Sequence, residues 1–413
     1  MSGQSKPRTS PVSRHFVLAA GGTGGHLTPA FALAHELERR GHRVALITDA
    51  RGAAIPGKPD FLEHHVLPAG RFGKNPLRWP VGVRAVLAGR AMARRLYRKF
   101  EPTAVVGFGG YPALPALLAA SSAGIPTVIH EQNAVLGRVN RLLAGRVDAI
   151  ATAYPEVDRL KPSLKGRVHL VGNPVRPAVL ALRDEDYPAL TPGGPLRLLV
   201  TGGSQGARVL SQVVPRGLAL LPASLRDRLQ VTQQCRPEDL DAVRALYAEH
   251  GIPADLASYY QDMEARLAAA HLFIGRAGAS TIAELTAVGR PAILVPLPIA
   301  TDDHQAANVR EMVAAGGARS VRQNLFTPEE LAREVVALAE PAEALARAAH
   351  AAWNCGRPDA AEKLADLVES FGAVPMQDVI RVEAAEPRAL AQSVATAPGA
   401  SLVAGAEPEM EGA

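Results

Sequence analysis

Phe16-Val17-Leu18-Ala19-Ala20-Gly21-Gly22-Thr23-Gly24-Gly25-His26 decides how this chain folds: an apolar run enters a glycine cluster, and helix-forming sequence follows. A strand that turns through glycines into a helix presents backbone N–H groups with no internal partner, and the helix dipole favours negative charge there. The stretch therefore reads as an anion site at the end of a buried strand. The same arrangement recurs where Leu196-Arg197-Leu198-Leu199-Val200 leads into Thr201-Gly202-Gly203-Ser204-Gln205-Gly206. Two such sites predict two similar halves with phosphate chemistry between them.

Strand and helix alternate outward from the first cluster. Strands are expected at Val44–Thr48, Ala104–Phe108, Thr127–His130, Ala149–Ala153 and Val168–Val171, and a helix over Pro29–Arg40 stops at Gly41. After the charged, Pro- and Gly-rich stretch Arg183–Pro195 the pattern restarts, with strands at Leu196–Val200, Leu229–Gln233, Leu272–Gly275 and Ala292–Pro296. Thr327-Pro328-Glu329-Glu330 is a helix start, with Thr as cap and Pro at the first position. The order is that of β-α-β units on parallel sheets, an α/β class. The expected organisation is a disordered leader (1–13), a first domain (14–176), a linker (177–195) and a second domain (196–350). A C-terminal helix (351–371) packing back on the first domain and a disordered tail (372–413) complete it.

A chain of 413 residues with 47% hydrophobic and 21% charged residues has the composition of a soluble protein with two full cores. Cys235 and Cys355 cannot build a disulfide framework or a cysteine metal site, which points to a reducing compartment. The apolar stretches Ala113–Ala120 and Pro291–Ala300 are too short to cross a membrane. Charge is unevenly placed. Between Glu63 and Glu101 there is no acidic residue, while Arg71, Lys74, Arg78, Arg84, Arg90, Arg94, Arg95, Arg98 and Lys99 all fall there. Taking these nine from the net +5 leaves the rest of the chain near −4. Phe72, Leu77, Trp79, Val81, Val83, Leu87 and Met92 interleave, a pattern suited to an anionic bilayer surface, to nucleic acid, or to a solvated basic helix.

Neither glycine cluster ends in the Gly-Lys-Ser/Thr of a Walker loop, and Leu27 stands where G-x-G-x-x-G needs its last glycine. Gly109-Gly110-Tyr111 and His130-Glu131-Gln132-Asn133 each follow a strand, at the sheet edge where open α/β sheets bind ligands. His26 beside an anion-binding turn could serve as base or hydrogen-bond partner, and Asn133 could cap a helix. Arg176, after Gly172-Asn173-Pro174, could clamp a diphosphate from the hinge. Glu284 reads either as the end of a Thr281–Glu284 capping box or as an acceptor for two ribose hydroxyls; Asp302 with Gln305 poses the same choice. Asp184-Glu185-Asp186 and Asp239-Leu240-Asp241 read as solvated charge, so no metal is expected.

Taken in order, the Gly21–His26 cluster, Gly109–Tyr111, His130–Asn133, Gly172–Arg176, Gly202–Ala207 and Gly278–Glu284 closely resemble the MurG family of bacterial peptidoglycan N-acetylglucosaminyltransferases, from about residue 15 to about 370. The resemblance implies a GT-B glycosyltransferase fold, two Rossmann-like domains with parallel sheets facing across a cleft. It implies metal-independent, inverting transfer of GlcNAc from UDP-GlcNAc to the muramoyl 4-hydroxyl of undecaprenyl-linked lipid I, forming lipid II for the cell wall, cell shape and cell division. A UDP-GlcNAc 2-epimerase-like isomerase and another glycolipid glycosyltransferase are the alternatives. Carried over, the donor would meet Thr23, Gly24, Gly25, Asn133, Arg176, Ser204, Gln205, Gly206, Ala279, Ser280, Thr281, Glu284 and Gln305. The acceptor diphosphate would meet Gly21, Gly22, Gly109, Gly110 and Tyr111, with His26 or Glu131 as base. Phe72, Lys74, Leu77, Arg78, Trp79 and Arg84 would dock on the anionic cytoplasmic face of the inner membrane. No cofactor and no nucleic acid are implied; other cell-wall synthesis proteins are implied partners. Two departures stand out: Pro112-Ala113-Leu114-Pro115 lacks the serine usual after the Gly-Gly-Tyr turn, and Tyr260 replaces an aliphatic residue.

Overall fold

The computed structural model describes residues 13–372 except 23, 56, 69, 71–78, 204, 205, 299 and 342. Two parallel sheets organise it. The first contains β1 (His15–Ala20), β2 (Arg43–Thr48), β3 (Glu63–Val66), β4 (Ala104–Gly109), β5 (Thr127–Glu131), β6 (Ala149–Thr152) and β7 (Val168–Leu170). Its spatial order is β3-β2-β1-β4-β5-β6-β7. The second contains β8 (Leu196–Thr201), β9 (Leu229–Gln234), β10 (Ala254–Ala257), β11 (Leu272–Gly275), β12 (Ala292–Leu294) and β13 (Ala318–Ser320), in the order β10-β9-β8-β11-β12-β13. The same winding occurs twice. In each half the strand order reverses beside the strand that leads into a glycine cluster, between β1 and β4 and between β8 and β11. That reversal opens a crevice at the carboxyl ends of the strands.

The central strands are continuous apolar runs because helices cover both faces. Phe16, Val17, Leu18, Ala19 and Ala20 of β1 have no exposed surface. Leucines 196, 198 and 199 with Val200 are likewise buried in β8. Three of the four edge strands, β3, β10 and β13, are short and partly polar, as solvent-facing edges tend to be. They have no counterpart among the sequence-based strands.

Helix α1 (Gly24–Arg39) starts inside the first glycine cluster, earlier than Pro29. Leu27, Ala30, Phe31, Leu33, Ala34 and Leu37 give it a buried stripe. Gly41 and His42 close it in a Schellman arrangement, donating to the carbonyls of Glu38 and Leu37 at 2.8 and 3.0 Å. Helix α2 (Trp79–Phe100) buries Gly82, Gly89, Ala93, Tyr97 and Phe100 and packs on α3 (Ala113–Ser121). Its opposite face exposes Val81, Val83, Leu87 and Met92. Further along are α4 (Arg138–Leu143), α5 (Arg208–Ala219), α6 (Ala279–Ala287) and α7 (Pro328–Ala339). Thr327 caps α7 by accepting from the Glu330 N–H at 3.2 Å, with Pro328 in the first turn. The last helix, α8 (Ala360–Ser370), lies against α1. Leu364, Ala365 and Val368 join the same core as Phe16, Leu18 and Leu33. Arg40 pairs with Asp366 and Glu369 at 2.6 and 2.8 Å, so the end of the described chain is bolted to its beginning. Among the described residues no helix is long and apolar enough to cross a membrane.

Candidate active site

Three adjacent strands of the first sheet, β1, β4 and β5, deliver Gly21–His26, Gly109–Tyr111 and His130–Asn133 to one edge. The β1/β4 register shifts between Ala19 and Ala20, so Ala20 pairs with Gly109 and the two turns converge. Their approach requires glycine. A Cβ on Gly110 would stand 2.5 Å from the Gly21 carbonyl oxygen, and Gly110 has φ +77°. A Cβ on Gly109 would stand 3.0 Å from Cε1 of His26. The His26 ring thus stands where a side chain at Gly109 would project.

The turns do not offer every amide to a ligand. Gly21 is buried, and a Cβ there would stand 2.5 Å from Pro112, the residue that follows Tyr111. The Gly22 N–H is held by the Asp49 carboxylate at 3.2 Å. The open donors are those of the first turn of α1, Gly24, Gly25 and His26, whose N–H groups no intrahelical carbonyl can reach. The Gly22 amide is thus engaged within the protein, and Gly21 packs inside the turn. Tyr111 is half-buried beside them.

Four residues at the end of β5 divide into two sets. Glu131 is buried, and both of its oxygens are occupied. Oε1 accepts from the Asn133 N–H (3.1 Å) and Nδ2 (3.2 Å); Oε2 accepts from the Gly137 N–H (2.7 Å) and Asn140 Nδ2 (2.9 Å). The other set is a chain of contacts through His130 and Gln132 to His26 Nδ1. Asn133 is not a helix cap: α4 starts at Arg138 with Gly137 ahead of it. Its Oδ1 accepts from Nδ2 of Asn308, at 3.1 Å, in the opposite half.

The second half repeats the geometry. Gly275 ends β11 beside Thr201 of β8, and α6 opens at Ala279. No side chain caps α6, so the N–H groups of Ala279, Ser280 and Thr281 stand free of intrahelical partners. Ser280 Oγ is buried with no partner among the described residues. The Gly203 and Gly206 amides are held by Thr201 Oγ1 and the Gly203 carbonyl, at 3.1 and 2.9 Å. Thr281 and Glu284 form no capping box, because the helix begins two residues before Thr281. Glu284 instead accepts from Arg176 Nε at 2.8 Å, and Glu264 lies 3.6 Å from the same guanidinium. Asp302 and Gln305 also form no box. Asp302 pairs with Arg141 and Arg159 of the first half at 2.8 and 3.1 Å, and Gln305 Oε1 accepts from the Leu297 N–H at 3.0 Å. Tyr260 is tied away, its hydroxyl donating to the Asp255 carbonyl at 2.8 Å.

The halves meet where these edges face. Asn308, fully buried, also accepts from the Ala134 N–H at 2.8 Å, and α1 touches α6. Asn308, Arg141 and Arg159 were not singled out in the sequence, while Asp302 was read only with Gln305 and Gln132 only as part of the His130–Asn133 run. For Gln132 a signal existed: alternation along a strand puts residues 130 and 132 on one face. Thr23, Ser204 and Gln205, together with Phe72, Lys74, Leu77 and Arg78, lie outside the described residues. Trp79 and Arg84 are exposed on α2.

Residues 16–152 match the N-terminal domain of glycosyltransferase family 28, and residues 197–369 match its C-terminal domain. The chain belongs to glycosyltransferase family 28. This family 28 member is 72% identical over 390 residues, 94% of its length and 98% of the relative's, to a protein of Erythrobacter litoralis. It is 74% identical over 372 residues, 90% of its length and 96% of the relative's, to one of Novosphingobium aromaticivorans. Both relatives are named UDP-N-acetylglucosamine–N-acetylmuramyl-(pentapeptide) pyrophosphoryl-undecaprenol N-acetylglucosamine transferase. Among solved structures, Acinetobacter baumannii MurG superposes with a TM-score of 0.70 at 30% identity, covering 86% of this chain and 99% of that one. Two parallel α/β halves around one crevice make this a GT-B glycosyltransferase.

Proposed function

We propose that this enzyme performs the transfer for which its relatives are named, moving GlcNAc from UDP-GlcNAc to the 4-hydroxyl of the MurNAc unit in undecaprenyl-diphosphoryl-MurNAc-pentapeptide. The observation that carries it is the near-full-length match to those relatives. The paired helix starts at one crevice supply the physical means. An isomerase would need neither a second diphosphate site nor the exposed basic face of α2.

The second half holds the donor. The diphosphate lies at the start of α6 and the Gly202–Gly206 turn, with Arg176 above it, and Glu284 accepts from the ribose hydroxyls. The N–H groups of Gly24 and Gly25, at the start of α1, complete its surroundings. The acceptor diphosphate lies against Gly109–Gly110–Tyr111. The acceptor oxygen attacks C1 of the sugar as the C1–O bond to UDP breaks, inverting the anomeric centre. His26 takes the hydroxyl proton, since the Glu131 oxygens are already filled by four N–H donors. Arg176 and the helix-start amides stabilise the charge that develops on UDP.

Transfer of labelled GlcNAc to a lipid I analogue, run against other sugar nucleotides, tests the activity; no transfer from UDP-GlcNAc would overturn it. Glu284→Ala should weaken UDP-GlcNAc binding by about 10–100-fold, the loss of charge-assisted hydrogen bonds worth roughly 1.5–3 kcal/mol. Titration calorimetry reads this, and unchanged affinity would leave Glu284 only as the partner of Arg176.

The exposed face of α2 docks on the anionic inner-membrane surface, on its cytoplasmic side, where the lipid-linked acceptor resides. Trp79, Val81, Val83 and Leu87 supply apolar anchorage and Arg84 and its neighbours supply charge. Val83→Glu with Leu87→Glu should reduce flotation on anionic vesicles by about tenfold or more. Undiminished flotation would remove α2 from the docking surface. Such docking places the enzyme where other cell-wall synthesis proteins and the machinery of cell shape and division work.

A further inference from the structure

His130 is a fully buried histidine with no task in the transfer as drawn. Three hydrogen bonds run through it and Gln132 from the Gly172 carbonyl to His26, and their polarity can be worked out from one end. His130 Nε2 lies 2.9 Å from the Gly172 carbonyl oxygen, which can only accept, so Nε2 carries a hydrogen. Burial pushes the His130 imidazole down to about 4, so near neutral pH the ring is uncharged and Nδ1 holds a lone pair. The Gln132 amide nitrogen lies 3.0 Å from that Nδ1 and 3.0 Å from the His130 carbonyl oxygen. Both are acceptors, which fixes that end of the amide as the NH2. Gln132 Oε1 is left facing His26 Nδ1 at 3.1 Å, and an amide oxygen can only accept. The hydrogen of a neutral His26 is therefore on Nδ1, and its lone pair is on Nε2.

We propose that Gln132 and His130 are positioning residues that transmit the fixed polarity of the Gly172 carbonyl to His26, holding its Nε2 as the bare nitrogen that receives the acceptor proton. The inference rests on His26 being the base. When the 4-hydroxyl proton arrives, Nε2 becomes N–H, Nδ1 keeps its hydrogen, and the imidazolium still donates to Gln132. Without Gln132 the ring is free to take the other tautomer, whose Nε2–H cannot accept a proton.

The test uses the full-length enzyme labelled with 15N-histidine, in which long-range proton–nitrogen spectra distinguish a protonated ring nitrogen from a bare one. His26 is identified by the signals lost in His26→Ala. The wild-type ring should show Nδ1 protonated and Nε2 bare. Gln132→Met keeps the length but has no amide; its His26 should shift toward Nε2–H, with kcat reduced by about 10²–10⁴-fold and KM within about threefold. Gln132→Glu keeps an acceptor oxygen toward His26 Nδ1, with the proton on its other oxygen donated to His130 Nδ1, and its His26 should keep the Nδ1–H tautomer that Gln132→Met loses. A bare Nδ1 in wild-type His26, or an unchanged tautomer in folded Gln132→Met, overturns the proposal. If Gln132→Met does not fold, the wild-type spectrum alone decides it. Full turnover by His26→Ala would sink the base assignment while leaving the tautomer result standing, so the two failures are distinct.

Discussion

His26→Ala should lower kcat by about 10²–10⁴-fold while KM for UDP-GlcNAc stays within a few-fold. The expectation follows from where the ring is held. It sits at the start of α1, its Nδ1 is engaged by Gln132, and it occupies the space a side chain at Gly109 would need. An alcohol of high pKa cannot attack C1 efficiently unless its proton leaves as the bond forms, and a ring nitrogen with a free lone pair can take that proton. The donor's proposed contacts are mostly in the other half, so binding of UDP-GlcNAc should be largely spared. Steady-state kinetics with a lipid I analogue read both constants. A His26→Ala enzyme with wild-type kcat would remove the base, and a rise in KM alone would make His26 a binding residue.

Glu131→Ala should cost roughly 3–5 kcal/mol of stability and lower the thermal midpoint by about 5–10 °C. The four donors now satisfied by one carboxylate would lose their partner, and buried unsatisfied donors cost about 1–3 kcal/mol each before relaxation or water offsets part of it. Two belong to Asn133 and two to the start of α4. Because Asn133 also meets Asn308, the substitution should loosen the contact between the halves and depress activity indirectly. Calorimetry alongside turnover separates the roles. A stable Glu131→Ala enzyme that is inactive would put Glu131 back in the chemistry.

The central architecture was legible because burial leaves a strong mark. Phe16–Ala20 is apolar along its length and Leu196–Val200 at every position but Arg197, because both faces are covered, and glycines follow because turn must approach turn. Three of the four edge strands, Glu63–Val66, Ala254–Ala257 and Ala318–Ser320, were not legible, since three or four partly exposed residues carry little periodicity, whereas the fourth, Val168–Leu170, was marked by its apolar residues. Capping was legible only where no tertiary partner competed. Thr327 caps α7 as its spacing predicts, whereas Glu284 and Asp302 are drawn to arginines distant in sequence, Arg176, Arg141 and Arg159. The same limit applies to the site. His130–Asn133 could be marked as a polar cluster after a strand, but spacing alone cannot tell that Glu131 faces a loop while Gln132 faces His26. Those roles depend on contacts with Gly172, Asn140 and Asn308, which only the folded chain brings near.

The most direct measurement is a crystal structure of the enzyme with UDP and a lipid I analogue bound together. The UDP diphosphate should lie at the start of α6, the acceptor diphosphate against Gly109–Gly110, and His26 Nε2 within about 3.2 Å of the muramoyl 4-hydroxyl. Both diphosphates on one half, or a 4-hydroxyl directed away from His26 in the closed complex, would contradict transfer across this crevice.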